Sequence, residues 1–314
     1  MTYNVKTGEI LWQPSKHIIS DANITKFARW LQQNNDHILT EYSQILEWSV
    51  RDISGFWGAL WDYFEILYDG DIVEICSADQ MPKTRWFTGT KLNFAEHVMR
   101  NEICGNPERT VLKHCSELRP LTEMSWHQMC SQVRRLATKL RQIGIQPGDR
   151  IAAYMPNIPE TIVAMLATTS IGAIWTAAAP EFGAQTVIDR FKQLNPTLLF
   201  AVDGYRYGGE DHDRTKELLE VTNQLDSLKH LVLIDYLREK PKNLEFDGSY
   251  AKWEDMLSGD DVTRENFHFE RVASDHPLWV LYSSGTTGLP KAIVHGHHGI
   301  LMEHYKSAAF HFDL

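Results

Sequence analysis

The chain has 314 residues, of which 43% are apolar and 23% are charged, a composition typical of a soluble globular enzyme with two domains or one large domain. Its net charge is −10, from 31 basic and 41 acidic residues, and no basic stripe of the kind that binds nucleic acid is present. We therefore expect no nucleic-acid partner.

The cysteines and the first residues indicate the compartment. The opening sequence MTYNVKTGEI contains no apolar stretch of the kind found in a signal peptide. The cysteines lack C-x-x-C spacing, which favours reduced, mostly buried thiols over a zinc site or a disulfide framework. They are Cys76, Cys104, Cys115 and Cys130. Both observations predict a cytoplasmic protein.

Residues 1–101 are rich in aromatic side chains and are predicted to form a mostly helical N-terminal extension. Its indoles are interpreted as packing anchors on the main domain rather than as a ligand cage. They belong to Trp12, Trp30, Trp48, Trp57, Trp61 and Trp86. Residues 102–314 are predicted to form a separate α/β domain.

Strands and helices alternate in this second region. Residues 109–115 are typical of a strand, and a helix follows, with a capping box at Ser125 and Gln128 and a stop at Gly144. The predicted elements then continue as strand 150–155, helix 159–172, strand 173–177, helix 183–193 and strand 197–202. Such alternation predicts a parallel sheet with helices on both faces, whose ligands bind at the carboxyl ends of the strands.

Residues 161–180 are uncharged, and by length alone this run could span a membrane. It contains several hydroxyl side chains and Gly172, and it lies between Glu160 and Glu181. This pattern favours a buried helix, a glycine turn and a buried strand of a parallel sheet. We predict no membrane span.

Residues 237–275 are polar and turn-rich and are predicted to form a surface connection. They lead into the apolar strand 278–282, which is followed by a run of small and hydroxyl residues and one lysine. These residues are Ser283, Ser284, Gly285, Thr286, Thr287, Gly288 and Lys291. Glycines let backbone N–H groups approach phosphate oxygens, hydroxyls add donors, and a lysine supplies a point charge. The run therefore predicts a phosphate-binding loop, with a generic hairpin turn as the alternative.

The spacing differs from the P-loop pattern G-x-x-x-x-G-K-S/T, which opens a helix. Here Lys291 is followed by Ala292 and the β-favouring Ile293 and Val294, so the loop is predicted to join two strands. We expect it at the carboxyl end of a central parallel strand. Further on, His297, His304 and His311 recur every seven residues, a spacing too wide for one ion, and we predict no metal site.

The sequence SSGTTGLPK at residues 283–291 closely resembles the phosphate-loop signature of the adenylate-forming superfamily, with Ala292 where most members have glycine. Four longer segments, residues 48–64, 86–100, 148–191 and 276–291, resemble the acetoacetyl-CoA synthetase family within it. The sequence LNFAE and the sequence SIGAIW followed by PEFG carry that finer resemblance.

The resemblance implies the large-domain α/β fold of adenylate-forming enzymes and a two-step reaction. Acetoacetate and Mg-ATP give acetoacetyl-adenylate and pyrophosphate, and the thiol of coenzyme A then displaces AMP. The cofactors and co-substrates implied are ATP, Mg²⁺ and coenzyme A. The hydroxyls of the loop and the backbone at Gly285 and Gly288 would bind the phosphates, with Lys291 stabilising the leaving pyrophosphate. The resemblance also places His297 near this site, although a histidine packed against the sheet is the more common outcome.

Two departures from the family pattern limit what can be carried over. The R-G-G-R coenzyme A contact of the acetate enzymes is replaced by Tyr207, Gly208, Gly209 and Glu210. The later adenine, ribose and C-terminal lysine segments of the family do not occur before Leu314. We therefore expect a truncated, amino-terminal fragment that is inactive alone. A separately encoded C-terminal half is one candidate partner, and a natural truncation, a split gene and a partial sequence remain open as the origin of the fragment. The alternatives are a fragment of an acetyl-CoA or other short-chain acyl-CoA synthetase, and a non-catalytic nucleotide- or partner-binding remnant.

Overall fold

The structure, a computed structural model, describes residues 6–34, 38–238, 246–283, 288 and 290–314. The chain divides into two compact units. The first comprises Met1–Ile66, Glu74–Thr84 and Leu301–Leu314, and the second comprises Leu67–Val73 and Arg85–Ile300.

The described part of the chain alternates between helices and strands over most of its length. The helices are α1 (Lys16–Asp21), α2 (Asn23–Asn34), α3 (Tyr42–Arg51), α4 (Ile53–Tyr63), α5 (Phe94–Met99), α6 (Trp126–Gln142), α7 (Pro159–Ser170), α8 (Ala184–Phe191), α9 (Thr215–Asn223), α10 (Trp253–Leu257) and α11 (His297–Lys306). The strands are β1 (Asp69–Cys76), β2 (Trp86–Leu92), β3 (Thr110–His114), β4 (Thr122–Ser125), β5 (Arg150–Tyr154), β6 (Ile174–Ala178), β7 (Leu198–Val202), β8 (Gly204–Tyr207), β9 (Glu210–Asp213), β10 (His230–Ile234), β11 (Ser249–Lys252), β12 (Val272–Ala273), β13 (Pro277–Ser283) and β14 (Lys291–Gly296).

The first unit is helical and aromatic-rich, as predicted. Phe27 on α2 is fully buried, and its ring lies 5.0 Å from that of Tyr63 and 5.1 Å from that of Phe310. Trp61 on α4 is also buried. Trp12 is 71% exposed, so the interpretation of this indole as a packing anchor is wrong.

The second unit contains a seven-stranded sheet in the order β11-β10-β7-β5-β6-β13-β14. Every pairing is parallel except that of β13 with the edge strand β14. The interior strand β7 is buried at all five positions, as expected for a parallel strand covered on both faces. The predicted mixed α/β fold with a mostly parallel sheet is confirmed.

Helix α6 shows how local sequence sets an element. Ser125 Oγ accepts from the backbone N–H of Gln128 at 3.2 Å, and the Gln128 side chain accepts from the backbone N–H of Ser125 at 2.9 Å. This is the predicted capping box. The helix ends at Gln142, just before the predicted stop at Gly144, which has a φ of 94°.

Residues 237–275 are more structured than predicted. They contain the edge strand β11 and the short helix α10, whose Trp253 and Met256 are 5% and 2% exposed. The buried apolar side chains of this polar segment are too widely spaced to produce a periodic pattern. The prediction of mostly buried cysteines is also wrong, because Cys104 and Cys115 are exposed, although all four thiols are free.

The uncharged run at residues 161–180 forms most of α7, a turn at Gly172 and strand β6, as predicted. Gly172 has a φ of 74°, which favours glycine between the helix and the strand. Within the described ranges, no helix has both the length and the apolar character needed to cross a membrane.

Asn93, in the LNFAE sequence, joins three parts of the second unit. Its side-chain oxygen accepts from the backbone N–H groups of Ala95 at 2.9 Å and Glu96 at 3.2 Å, which caps α5. Its side-chain nitrogen lies 2.9 Å from the carbonyl oxygen of Thr169 and 2.7 Å from that of Glu270. Asn93 is fully buried. Water therefore cannot readily replace its side chain as the hydrogen-bond partner of these backbone groups.

We predict that Asn93→Ala lowers the free energy of unfolding by about 2–4 kcal/mol, because several buried polar groups lose their partner together. Urea unfolding followed by circular dichroism measures this change. Asn106→Ala is the matched control, since Asn106 also caps a backbone N–H, that of Glu108 at 3.0 Å, but is exposed. Equal stability losses in the two variants would contradict the assigned role of Asn93.

Candidate phosphate-binding site

Ser283 is the last residue of strand β13. It lies at the carboxyl end of the strand, where the loop is predicted. One residue pair, Trp279 with Trp175, forms the register between β13 and the parallel strand β6. The buried hydroxyl of Thr176 adds a hydrogen bond of 2.8 Å to the carbonyl oxygen of Val280. The prediction of a central strand is wrong in one respect: β13 lies next to the edge, because the chain turns back and adds β14 outside it.

The two strands form an antiparallel hairpin, as the β-favouring residues after the lysine predict. Ser283 pairs with Lys291, and Leu281 pairs with Ile293. Ser283 is partly buried and Lys291 is exposed. In the part of the chain that the structure describes, no carboxylate forms a salt bridge with Lys291. Its positive charge is therefore not neutralised by those residues.

The predicted site residues fall into two groups. Ser283, Gly288 and Lys291 are described, and the hairpin brings Ser283 and Lys291 together. Gly288 has a φ of 121°, a backbone conformation that side chains with a Cβ rarely adopt, although the space around it is open. The remaining predicted residues, Ser284, Gly285, Thr286 and Thr287, lie outside the described residues.

The chain on either side of the loop is bound to the end of α8. The hydroxyl of Tyr282 donates to the carbonyl oxygen of Arg190 at 2.7 Å. The side-chain amide of Gln193 donates to the carbonyl oxygen of Pro290 at 3.1 Å. Burial raises the pKa of Tyr282 to about 12, so its hydroxyl keeps the proton that it donates. These contacts join residues about 90 positions apart, and no local sequence pattern predicts them.

Arg190 connects this contact to the PEFG sequence. Its guanidinium carbon lies 5.0 Å from the ring centre of Phe182 and 5.9 Å from that of Tyr282. The hydroxyl of Tyr154 lies 3.1 Å from the carbonyl oxygen of Pro180 and 2.5 Å from that of Phe182. The PEFG turn after β6 and the start of the loop after β13 are therefore held by neighbouring side chains.

His297 is a packed histidine. It is fully buried, and its Nδ1 accepts from the backbone N–H of Phe94 at 3.1 Å, which assigns the proton to Nε2. That Nε2 has no hydrogen-bond partner among the described residues. Burial lowers the pKa of His297 to about 3, with His276 and His298 contributing in the same direction. The alternative of a histidine packed against the sheet therefore accounts for the described contacts.

The turn at residues 207–210, which is predicted to stand where the acetate enzymes have R-G-G-R, binds a carboxylate of the same chain. The backbone N–H groups of Gly208 and Gly209 donate to the carboxylate of Glu117 at 2.8 and 2.7 Å. The φ angles of the two glycines are 62° and 80°, and their N–H groups form a concave pair, a geometry that suits an anion.

Within the described ranges, no group of three or more histidine, cysteine, aspartate or glutamate side chains is arranged to hold a metal ion.

The fold, with its β13–β14 hairpin beside a parallel strand, agrees with comparisons to known families. A model of the AMP-binding enzyme family matches residues 100–313, and a model of the acetyl-coenzyme A synthetase N-terminus matches residues 42–98. The first match covers more than half of the chain. The chain belongs to the AMP-binding enzyme family.

Individual relatives are more specific. The acetoacetyl-coenzyme A synthetase of Rhizobium meliloti (strain 1021) is 34% identical over 97% of this chain and 46% of the relative. The malonamoyl-CoA synthetase of Penicillium aethiopicum is 32% identical over 98% of this chain and 43% of the relative. The solved acetoacetyl-CoA synthetase from Streptomyces lividans superposes with a TM-score of 0.91 at 39% identity, over 98% of this chain and 46% of that chain.

The structural match confirms the adenylate-forming fold that the sequence predicts. It also shows that the likeness extends over nearly all of this chain. The chain spans about half the length of the curated relatives that it matches.

The buried His297 predicts a loss of stability in acid. Its folded pKa of about 3 lies below the ordinary value of 6.5, so the unfolded state binds more protons between these values. Stability is therefore complete above pH 6.5 and falls as the pH decreases. Between pH 7 and pH 5, His297 contributes a loss of about 2 kcal/mol, from about 1.4 kcal/mol per pH unit.

Urea unfolding at both pH values tests this prediction through His297→Asn, whose amide oxygen can still accept from Phe94. The variant should lose about 2 kcal/mol less than the wild type between pH 7 and pH 5. His268→Asn is the control, because His268 is 79% exposed in its side chain and should leave the difference unchanged. An identical pH dependence in wild type and His297→Asn would contradict the prediction.

Proposed function

We propose that this chain is the phosphate-binding half of an acetoacetate–CoA ligase. The observation that carries the proposal is the pairing of Ser283 with the unneutralised Lys291 at the carboxyl end of β13, in a chain of the AMP-binding enzyme family. In the complete enzyme, the acid attacks the α-phosphorus of ATP, which forms the acyl-adenylate and releases pyrophosphate. The thiol of coenzyme A then attacks the acyl carbon and displaces AMP.

In this proposal, the residues of the loop act in the first step. The ammonium group of Lys291 stabilises the negative charge that develops on the leaving pyrophosphate. The hydroxyl of Ser283 and the backbone at Gly288 donate to phosphate oxygens, and Ser284, Gly285, Thr286 and Thr287 share this role on the evidence of sequence alone. Mg²⁺ would be supplied with the nucleotide as Mg-ATP, where its double charge would offset that of the phosphates.

We propose that residues 1–101 form an N-terminal extension and that residues 102–314 form part of the adenylation domain. The family models at residues 42–98 and 100–313 support this boundary. A polypeptide that completes the AMP-binding fold, carried on the same or a separate chain, would be the partner of this half. The four free thiols support a cytoplasmic location.

The names of the relatives suggest a substrate class. Acetoacetate and malonamate are short acids that both carry a carbonyl group at the β position, and they differ in a terminal methyl or amino group. Relatives named for each of them match this chain at 34% and 32% identity. We therefore propose a short β-carbonyl acid as substrate, with acetoacetate as the first candidate and malonamate as the second.

We predict that acetoacetate supports ATP–pyrophosphate exchange better than acetate does, once the second half of the enzyme is restored in frame from the source genome. The β-carbonyl group gives the complete site an additional polar contact that acetate lacks. Exchange with acetoacetate, malonamate and acetate is measured side by side. Equal or faster exchange with acetate would assign the protein to the acetate branch, and faster exchange with malonamate would favour the second candidate. The 314-residue polypeptide assayed alone is the baseline and should form no thioester.

A second prediction concerns the lysine. In the restored enzyme, Lys291→Ala should slow adenylation by roughly 10²- to 10³-fold, the usual effect of losing one preorganised group that stabilises developing charge. Lys216→Ala removes an exposed lysine on α9 and serves as the control. Pyrophosphate exchange measured at saturating ATP gives the rate. An unchanged rate in Lys291→Ala would show that this lysine does not act on the phosphates.

A further inference from the structure

Gln193 forms two hydrogen bonds with one side-chain amide group. Its nitrogen donates to the carbonyl oxygen of Asp189 at 2.8 Å, in the last turn of α8, and to the carbonyl oxygen of Pro290 at 3.1 Å. An amide NH₂ group has two protons, so both bonds can form at once. The side chain thus connects the end of a helix to the residue that precedes Lys291.

The opposite side of the loop is tied to the same turn. Tyr282 precedes Ser283, and its hydroxyl donates to the carbonyl oxygen of Arg190 at 2.7 Å. Residues 189–193 therefore contact the chain immediately before the first and immediately before the last of the predicted phosphate-binding residues. Helix α8 is itself fixed, because Val187, Ile188 and Phe191 are buried in the core.

The contact at Pro290 matters because of where Lys291 lies. Lys291 is the first residue of β14, the edge strand of the sheet, and within the described residues that strand pairs only with β13. The carbonyl group of Pro290 belongs to the same planar peptide unit as the nitrogen of Lys291. A hydrogen bond that fixes this carbonyl oxygen therefore restricts the direction in which the Lys291 side chain leaves the backbone.

We propose that Gln193 is a positioning residue that orients Lys291 toward the phosphates. The proposal rests on the proposed function of Lys291, and it assigns a role to a side chain that does not itself contact the nucleotide. Positioning matters for a charged group because a displacement of about 1 Å from the productive geometry has a large effect on rate.

The chain offers a matched control close by, in α8. Gln185 is also exposed, and its amide donates to the carboxylate of Asp189 at 2.7 Å, a contact that stays within α8. Gln193→Leu and Gln185→Leu thus remove the same chemical group, the first from the turn just after α8 and the second from within α8. Only the first removes a bond to the loop.

The first experiment needs no ligand. Trypsin cleaves after Lys291 only when the local backbone opens, and mass spectrometry follows the rate of that cut in the folded 314-residue chain. We expect Gln193→Leu to accelerate the cut by about 2- to 10-fold, the effect of one hydrogen bond, with an unchanged thermal midpoint. Gln185→Leu should leave the rate unchanged. Equal rates in wild type and Gln193→Leu would overturn the proposal.

The second experiment separates positioning from general stability. Binding of Mg-pyrophosphate to the 314-residue chain is measured by calorimetry for wild type, Gln193→Leu, Lys291→Ala and the double variant. Gln193→Leu should weaken binding by about 2- to 10-fold in the presence of Lys291 and have no effect in the Lys291→Ala background. An equal effect in both backgrounds would overturn the positioning role. If the wild type does not bind pyrophosphate, the proposed phosphate site of the isolated chain fails, and the trypsin experiment still decides the role of Gln193.

Discussion

The whole candidate site depends on the position of strand β13. A single residue pair, Trp279 with Trp175, sets the register between β13 and the parallel strand β6. Side-chain contacts add to this limited backbone pairing. The hydroxyl of Thr176 donates to the carbonyl oxygen of Val280 from the sheet side, and the ring of Phe94 lies 5.5 Å from that of Trp279. Phe94 in turn donates its backbone N–H to His297, just after β14. A strand held by such specific contacts has one position, which is what a phosphate site requires.

The charge of Lys291 contrasts with that of two arginines elsewhere in the second unit. Arg271 is bound by the carboxylates of Glu96 and Asp69, and the buried Arg134 is paired with Glu102 at 2.7 Å. These cations are neutralised by their partners and cannot recruit a further anion. Lys291 is exposed and unneutralised by the described residues, at the edge of the sheet where ligands of this fold class bind. Lys291 therefore presents a positive charge at this edge of the sheet, whereas the charges of Arg271 and Arg134 are neutralised by carboxylates of the second unit.

Local sequence predicted those parts of the structure that local interactions determine. The capping box at Ser125 gave the start of α6, and the β-favouring residues after Lys291 gave the hairpin. The role of Asn93 and the contact of Gln193 with Pro290 were not predictable, because each joins segments far apart in the chain. The LNFAE sequence served only as a family signature until the structure showed that its asparagine is a buried cap. Strand β11 was missed because edge strands carry polar residues on their exposed positions.

We propose that Lys291 lies against the terminal phosphates of a bound nucleotide. An acyl-phosphate derivative of ATP, which transfers its acyl group to a lysine beside the γ-phosphate, tests this claim directly when peptides are mapped by mass spectrometry. We predict labelling of Lys291 that excess Mg-ATP suppresses, while Lys216 on α9 shows no such protection. Labelling that leaves Lys291 unmodified, or that Mg-ATP does not suppress at Lys291, would contradict a position of Lys291 beside the phosphates.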